Sequence, residues 1–174
     1  MALRRREVLV LGGAGVAAAA AGALVGAFAL QSRSGAAELL AARFHDLEGR
    51  ERRLIEWQGR ALLCNFWATW CPPCLEEVPL LVAAKQQHPS GSAQIVGIGI
   101  DNAAKIREFA RTFKINYPVF VAGATAIDLI RRLGNTAGAL PFTVLLDRSG
   151  ALAHRHLGAL SRAQLDRLMT GNGR

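Results

Sequence analysis

Two cysteines, Cys71 and Cys74, stand two residues apart in the stretch FWATWCPPCLEEVP, residues 66–79. The chain has only three cysteines, so this spacing is the first place to look for chemistry. The stretch joins an apolar run to a segment that reads as the start of a helix. A thiol at a helix N-terminus meets unpaired amides and the positive end of the helix dipole. Its thiolate is favoured there and its pKa falls. Cys71 is thus placed as a nucleophile. Cys74 lies on the adjoining turn of the same helix and can close a short disulfide with it. Pro72 and Pro73 cost little, because first-turn amides have no intrahelical partner. They also stiffen the loop. The pattern is that of a dithiol built to open and close.

Other uses of the pair fit less well. A zinc site wants two further ligands. His88, His154 and His156 form no second pair at suitable spacing, so no metal is expected. A c-type haem site needs histidine directly after the second cysteine. Leu75 stands there, and no cofactor is expected. A purely structural disulfide would not need a strand-to-helix junction or a stiffened loop.

The elements around the pair alternate strand and helix. RFHDLEGRERRL reads as two short strands about a turn at Glu48-Gly49. RALLCNFWA is a nearly continuous apolar run, as in a strand buried on both faces. A helix is expected from about Pro72 to Gln87, with a kink at Pro79. AQIVGIGI is a second buried strand. Asp101 or Asn102 can cap the next helix, where Ile106, Phe109, Ala110 and Phe113 share a face. YPVFV is strand-like, and ATAIDLIRRLG is a helix closed by Gly134. FTVLLD and ALAHRHLG form a hairpin about residues 148–150. Ser161 and Gln164 make a capping box for the last helix, with Leu160 and Leu165 as a staple. This order predicts an α/β domain around one mixed sheet.

The 174 residues suffice for one such domain plus an appendage. The net charge is +8, which raises the question of nucleic acid. Arg4, Arg5 and Arg6 cluster at the start, and the other basic residues are scattered, so no nucleic-acid partner is expected. From Val8 to Leu30 there is no charge. As a helix that run would span roughly 35 Å, enough for a bilayer core. Residues 1–30 therefore read as a transmembrane anchor with its arginines in the cytoplasm, or as a cleaved export signal with a small-residue site at Ala27–Ala29. Arg5 and Arg6 also resemble a twin-arginine signal. Both readings place the domain outside the cytoplasm, anchored in the inner membrane or exported to the periplasm. Residues 31–42 read as a linker, and residues 43–174 as the domain.

NFWATWCPPCLEEVP, taken with YPVFV and GALPFTVLLDRSG, resembles the thioredoxin-like proteins of the TlpA/ResA type. These are bacterial thiol-disulfide oxidoreductases, membrane-tethered or exported. The resemblance runs from about Arg43 to Met169 and implies a thioredoxin-like fold, with an N-terminal β-hairpin and a hydrophobic helix ahead of it. It implies that Pro141 is the cis-proline beside the dithiol, a place where a proline can open a strand. The backbone of Leu140 would then pair with an extended substrate segment. Glu77 matches a glutamate kept near the cysteines, on the face of Cys74, where a partly buried carboxylate could take that thiol's proton. Glu76 points elsewhere, to solvent. Asn65 falls where ordinary thioredoxins carry a buried acid, and it cannot titrate. Trp67 and Trp70 flank the site, with Trp70 and Pro72 placed to meet substrate. Cys64 reads as a small buried apolar residue.

The direction of electron flow follows from the loop. Strong oxidants stabilise their thiolate, but Pro72 and Pro73 have no N–H to offer and no basic residue lies between the cysteines. The expected activity is reduction of protein disulfides, fed by an upstream membrane thiol donor. The family's clients include apocytochrome c and copper-site proteins of cytochrome oxidase assembly, and the sequence does not choose between them. The alternative is a thiol peroxidase on the same fold. It calls for a lone peroxidatic cysteine preceded by Thr and Pro, with an Arg nearby. Thr69 is two residues before Cys71, and no proline precedes it in that stretch.

Overall fold

The computed structural model describes residues 22–23, 26–27, 35–57, 59–89 and 93–170. The residues that carry most of the anchor-or-signal expectation lie outside these. Among the described residues, no helix is long and apolar enough to cross a membrane.

A sheet of seven strands runs through the domain in the order β2-β1-β5-β4-β3-β6-β7. These are β1 (Arg43–Asp46), β2 (Glu51–Arg53), β3 (Ala61–Trp67), β4 (Ala93–Ile100), β5 (Val119–Ala122), β6 (Phe142–Leu146) and β7 (Leu152–Leu157). β3, β4 and β5 are parallel to their neighbours within that trio, whereas β1–β2, β1–β5, β3–β6 and β6–β7 are antiparallel. The mixture follows from the connections. α2 (Pro72–Gln87) returns the chain from β3 to a parallel β4, and α3 (Ala103–Thr112) returns it from β4 to a parallel β5. The tight turn between β6 and β7 allows only the antiparallel pair.

Both hairpin turns use the same device. Asp46 Oδ1 accepts from the amides of Glu48 and Arg50, and Asp147 Oδ1 from those of Ser149 and Ala151. Gly49 and Gly150 follow in each turn with positive φ, a backbone that costs glycine nothing. The chain leaves β2 earlier than the apolar pattern suggests, since Leu54 already belongs to a 3-10 helix, Leu54–Trp57.

The two sheet faces carry separate cores. One is Leu62, Cys64, Phe66, Val96, Ile98, Phe120, Phe142 and Val144, covered by α4 (Ala126–Arg132) and by a helix over residues 35–41, here α1. The other is Leu63, Trp67, Ile95 and Val119, covered by α2, α3 and α5 (Arg162–Thr170). α1 corrects the expected linker over 31–42. Its Leu39 is fully buried and Ala36 nearly so, and Glu38 makes two hydrogen bonds of 2.6 Å with Arg132 at the end of α4. The apolar spacing within GAAELLA is too short to show a helical period by itself, so only the tertiary contacts reveal it.

Helix ends follow their chemistry. Asn102, rather than Asp101, caps α3, accepting from Lys105 N at 3.0 Å. Ser161 and Gln164 form the reciprocal capping box of α5. α2 runs without interruption through Pro79, which is solvent-exposed.

Candidate active site

β3 ends at Trp67, and after three intervening residues the chain enters α2 with Cys71 as its N-cap, in extended backbone. Cys71 and Cys74 are joined in a disulfide, S–S 2.12 Å and Cα–Cα 5.3 Å. Cys71 retains 4 % exposure and Cys74 none. An incoming thiol or disulfide therefore meets Cys71 first. Pro72 and Pro73 carry no amide hydrogen, and the next two amides, of Cys74 and Leu75, donate to the Cys71 carbonyl oxygen at 3.0 and 3.2 Å. The Cys71 side chain makes no capping hydrogen bond.

The loop into the dithiol is tied down from the neighbouring strand. Thr69 Oγ1 donates to the Asp101 carboxylate at the end of β4. That bond, with help from the Asn102 amide and Lys105, holds the Asp101 carboxyl below its usual range against the opposing effect of burial. Trp70, next in the loop, is 65 % exposed and is one of three large apolar side chains standing out among the described residues. Trp67 does the opposite: it is buried and stacked on Phe109 with ring centroids 4.5 Å apart. The Leu140–Pro141 peptide is cis, and the Pro141 carbonyl accepts from Gly158 N at 2.9 Å, holding the start of β6 against the end of β7. Leu140 is half-buried and packs against both cores.

Beneath the dithiol, α2 buries Cys74, Glu77, Val78, Leu81 and Ala84. The spacing is a helical stripe, and Glu77 is the one carboxylate in it. Glu76 is exposed. Glu77 is 1 % exposed and both its oxygens are held. Oε1 accepts from Leu160 N at 2.8 Å and Oε2 from Asn65 Nδ2 at 3.0 Å. Asn65 Nδ2 also donates to Thr143 Oγ1 at 3.0 Å. Burial pushes the Glu77 carboxyl above its ordinary value, and the Leu160 amide, Asn65 and the charge of His156 pull it partly back. Its acid form is thus retained to higher pH than in a solvated glutamate.

The third thiol behaves differently. Cys64 is fully buried on the other face of β3, where desolvation alone pushes it up to about 12. It carries no reactive thiolate at neutral pH.

Residues beyond those expected from the sequence complete the site. Thr143 bonds Asn65, the Leu160 amide bonds Glu77, and Tyr117 and His156 couple electrostatically to Glu77. Their signals in sequence were faint: a threonine in an apolar strand, and a histidine whose strand partner was unknown. His154 and His156 share a face of β7, where His156 is half-buried, with Nε2 3.3 Å from Ala159 O, and His154 is exposed. Gly97 opposes Asn65 in the sheet, and a Cβ on it would meet Trp67 Nε1 at 3.0 Å and Tyr117 Cε2 at 3.2 Å. Glycine is what lets both rings reach this point.

Comparison with known proteins agrees with this geometry. The Redoxin family model matches residues 34–169, a span that takes in α1. The chain is similar to thiol-disulfide oxidoreductase ResA of Bacillus cereus, 27 % identical over 123 residues, covering 70 % of this chain and 68 % of that protein. It is similar to the thioredoxin-like protein YneN of Bacillus subtilis (strain 168), 28 % identical over 128 residues and covering 69 % of each. Among solved structures, a thiol:disulfide interchange protein of the thioredoxin family from Chlorobium tepidum TLS superposes with a TM-score of 0.63 at 28 % identity, covering 74 % of this chain and 90 % of that one. With its mixed sheet, its flanking helices and a closed Cys71–Cys74 pair at a helix start, the chain belongs to the Redoxin family as a thioredoxin-like thiol-disulfide oxidoreductase of the TlpA/ResA type.

Proposed function

We propose that the protein is a reductase of protein disulfides working outside the cytoplasm. Cys71 attacks the client disulfide, and one client sulfur leaves as thiolate while the other is held as a mixed disulfide. Cys74 then attacks Cys71, closing the intramolecular bond and releasing the reduced client. An upstream membrane thiol donor restores the dithiol. Clients of apocytochrome c or copper-site type fit this cycle equally. Residues 1–30 serve as membrane anchor or export signal in this reading.

The observation that carries the direction is the silence of the loop amides. Pro72 and Pro73 have no donor, and the amides of Cys74 and Leu75 are spent on the Cys71 carbonyl. The thiolate of Cys71 keeps the helix dipole but gains no capping amide, so the reduced form is less stabilised than in strong oxidants. Exposed Trp70, Pro72 and the backbone of Leu140 beside Pro141 form the client's seat, with an extended segment pairing at Leu140.

Glu77 acts on the second step. A buried thiol resists ionisation, and Cys74 has to be a thiolate when it attacks. The Glu77 carboxylate, one helical turn along and equally buried, accepts that proton. Asn65 holds the carboxylate and cannot replace it.

A redox titration tests the direction. The midpoint is expected near the thioredoxin end, about −270 mV, rather than the roughly −120 mV of strong oxidants. A value at the oxidising end overturns the assignment.

A further inference from the structure

We infer that His156 is the outlet through which the buried Glu77 exchanges its proton with solvent, at the end of a polar row that crosses the sheet. The inference rests on the reading of Glu77 as the proton acceptor for Cys74. A proton taken from Cys74 has to leave before the next cycle, and Glu77 itself is only 1 % exposed.

The groups that face Glu77 narrow the route. From β3 comes Asn65 Nδ2, and from the loop before α5 comes the Leu160 amide. Both are amides and do not titrate at neutral pH. From the segment before β5 comes Tyr117. Its hydroxyl is buried without a partner, and burial together with the Glu77 charge pushes the phenol far up. On α2 itself, Cys74 is the source of the proton and Glu76 points to solvent. From β7 comes His156, the one titratable neighbour that also reaches the surface. Imidazole is the side chain suited to exchanging protons near neutral pH.

The register puts it there. Asn65 pairs with Thr143 across β3–β6, and Thr143 pairs with His156 across β6–β7. Directly opposed residues share a face, with Cβ atoms about 4.5–5.5 Å apart. The three side chains therefore form a row on the α2 side of the sheet, from a fully buried amide to a half-buried imidazole on the edge strand. The ring is fixed as well. A carbonyl oxygen only accepts, so the contact at 3.3 Å with Ala159 O makes Nε2 the donor and leaves Nδ1 as the basic nitrogen. Ala159 directly precedes Leu160, whose amide clamps Glu77. The Thr143 hydroxyl, which accepts from Asn65 and can turn its own hydrogen, stands between the two ends.

The transfer moves a proton and no electrons. The Cys74 S–H breaks as a Glu77 O–H forms. That O–H then breaks as an N–H forms at His156 Nδ1, and the imidazolium gives its proton to water.

The test is stopped-flow measurement of both phases, the attack by Cys71 and the resolution by Cys74, in wild type, His156→Gln, Glu77→Gln and the double variant. Gln at 156 keeps a donor for Ala159 O, which protects the loop. His156→Gln is expected to slow the resolving phase about tenfold, less than the ~10²-fold expected for Glu77→Gln as the direct acceptor. It should leave the first phase unchanged and respond to added imidazole buffer. The double variant should be no slower than Glu77→Gln alone. A resolving phase in His156→Gln with wild-type rate and buffer response overturns the inference while leaving Glu77 in place, provided Glu77→Gln is slow. If Glu77→Gln is not slow, the reading of Glu77 fails, and this inference fails with it.

Discussion

On one face of β3 stand Leu62, Cys64 and Phe66; on the other stand Leu63, Asn65 and Trp67. All six are essentially inaccessible, so burial does not distinguish the faces. What each requires of its neighbours does. The first face packs on α1 and α4 with apolar atoms and one thiol that stays protonated. The second carries Asn65, Glu77, Thr143 and Tyr117, and it holds every buried side-chain polar atom without a partner among the described residues: Asn65 Oδ1, Trp67 Nε1 and Tyr117 Oη. Each such atom costs about 1–3 kcal/mol. Stability is therefore built on the first face and conceded on the second, beside the dithiol. The same depth of burial leaves Cys64 inert, whereas at Glu77 two amide hydrogen bonds oppose part of the upward push of burial.

Breaking the first face should cost the most stability and the least chemistry. Phe66→Ala removes a fully buried ring and is expected to lose about 3–5 kcal/mol in urea unfolding. The folded fraction should keep wild-type dithiol kinetics. A change in the resolving phase per folded molecule would mean that the two faces are coupled.

Asn65→Leu attacks the second face at similar volume. It strips Glu77 Oε2 of its donor and should cost about 1–3 kcal/mol. The missing hydrogen bond held the carboxyl down, so the pH profile of the resolving phase should move to higher pH. An unmoved profile would show that Asn65 only fills space.

The pH dependence of stability sharpens the contrast further. Glu77 has a folded pKa above its unfolded value of about 4.5. The stability it contributes is fully present below that unfolded value and is lost as pH rises through the folded pKa. Urea midpoints from about pH 4 to about pH 8 should thus fall for wild type relative to Glu77→Gln. Parallel curves would remove Glu77 as a titrating group. Gln is accommodated if the Asn65 amide flips, bringing its unpartnered Oδ1 to face the new donor.

Cys64→Ala should have the smallest effect, on the order of 1 kcal/mol, with activity unchanged. In the reduced native protein Cys71 should be the thiol that reacts first, with Cys64 appearing only on unfolding. Modification of Cys64 in the folded state would contradict its burial.

The positions of β3, β4 and α2 were legible because unbroken apolar runs and a proline-marked helix start are local signals. The dithiol and its stripe partner Glu77 were legible for the same reason: they lie within one helix. Thr143, His156 and Tyr117 were not, because their meeting with Asn65 depends on strand register across β6 and β7. Trp67 and Trp70 looked alike in sequence. Only the end of β3 separates the stacked, buried ring from the one left in solvent.

α1 has a consequence for how the domain is presented. Its first described residue, Gly35, lies so close to the Arg132 carbonyl that an added Cβ would come within 2.7 Å of the oxygen. The chain thus enters the domain along α4, on the layer opposite α2. In the proposed reading of residues 1–30 as an anchor, the domain would hang from the layer opposite the one that carries Cys71. A proteolytic cut ahead of residue 35 would release this unit whole, whereas a cut at 42 would pull Leu39 out of the core.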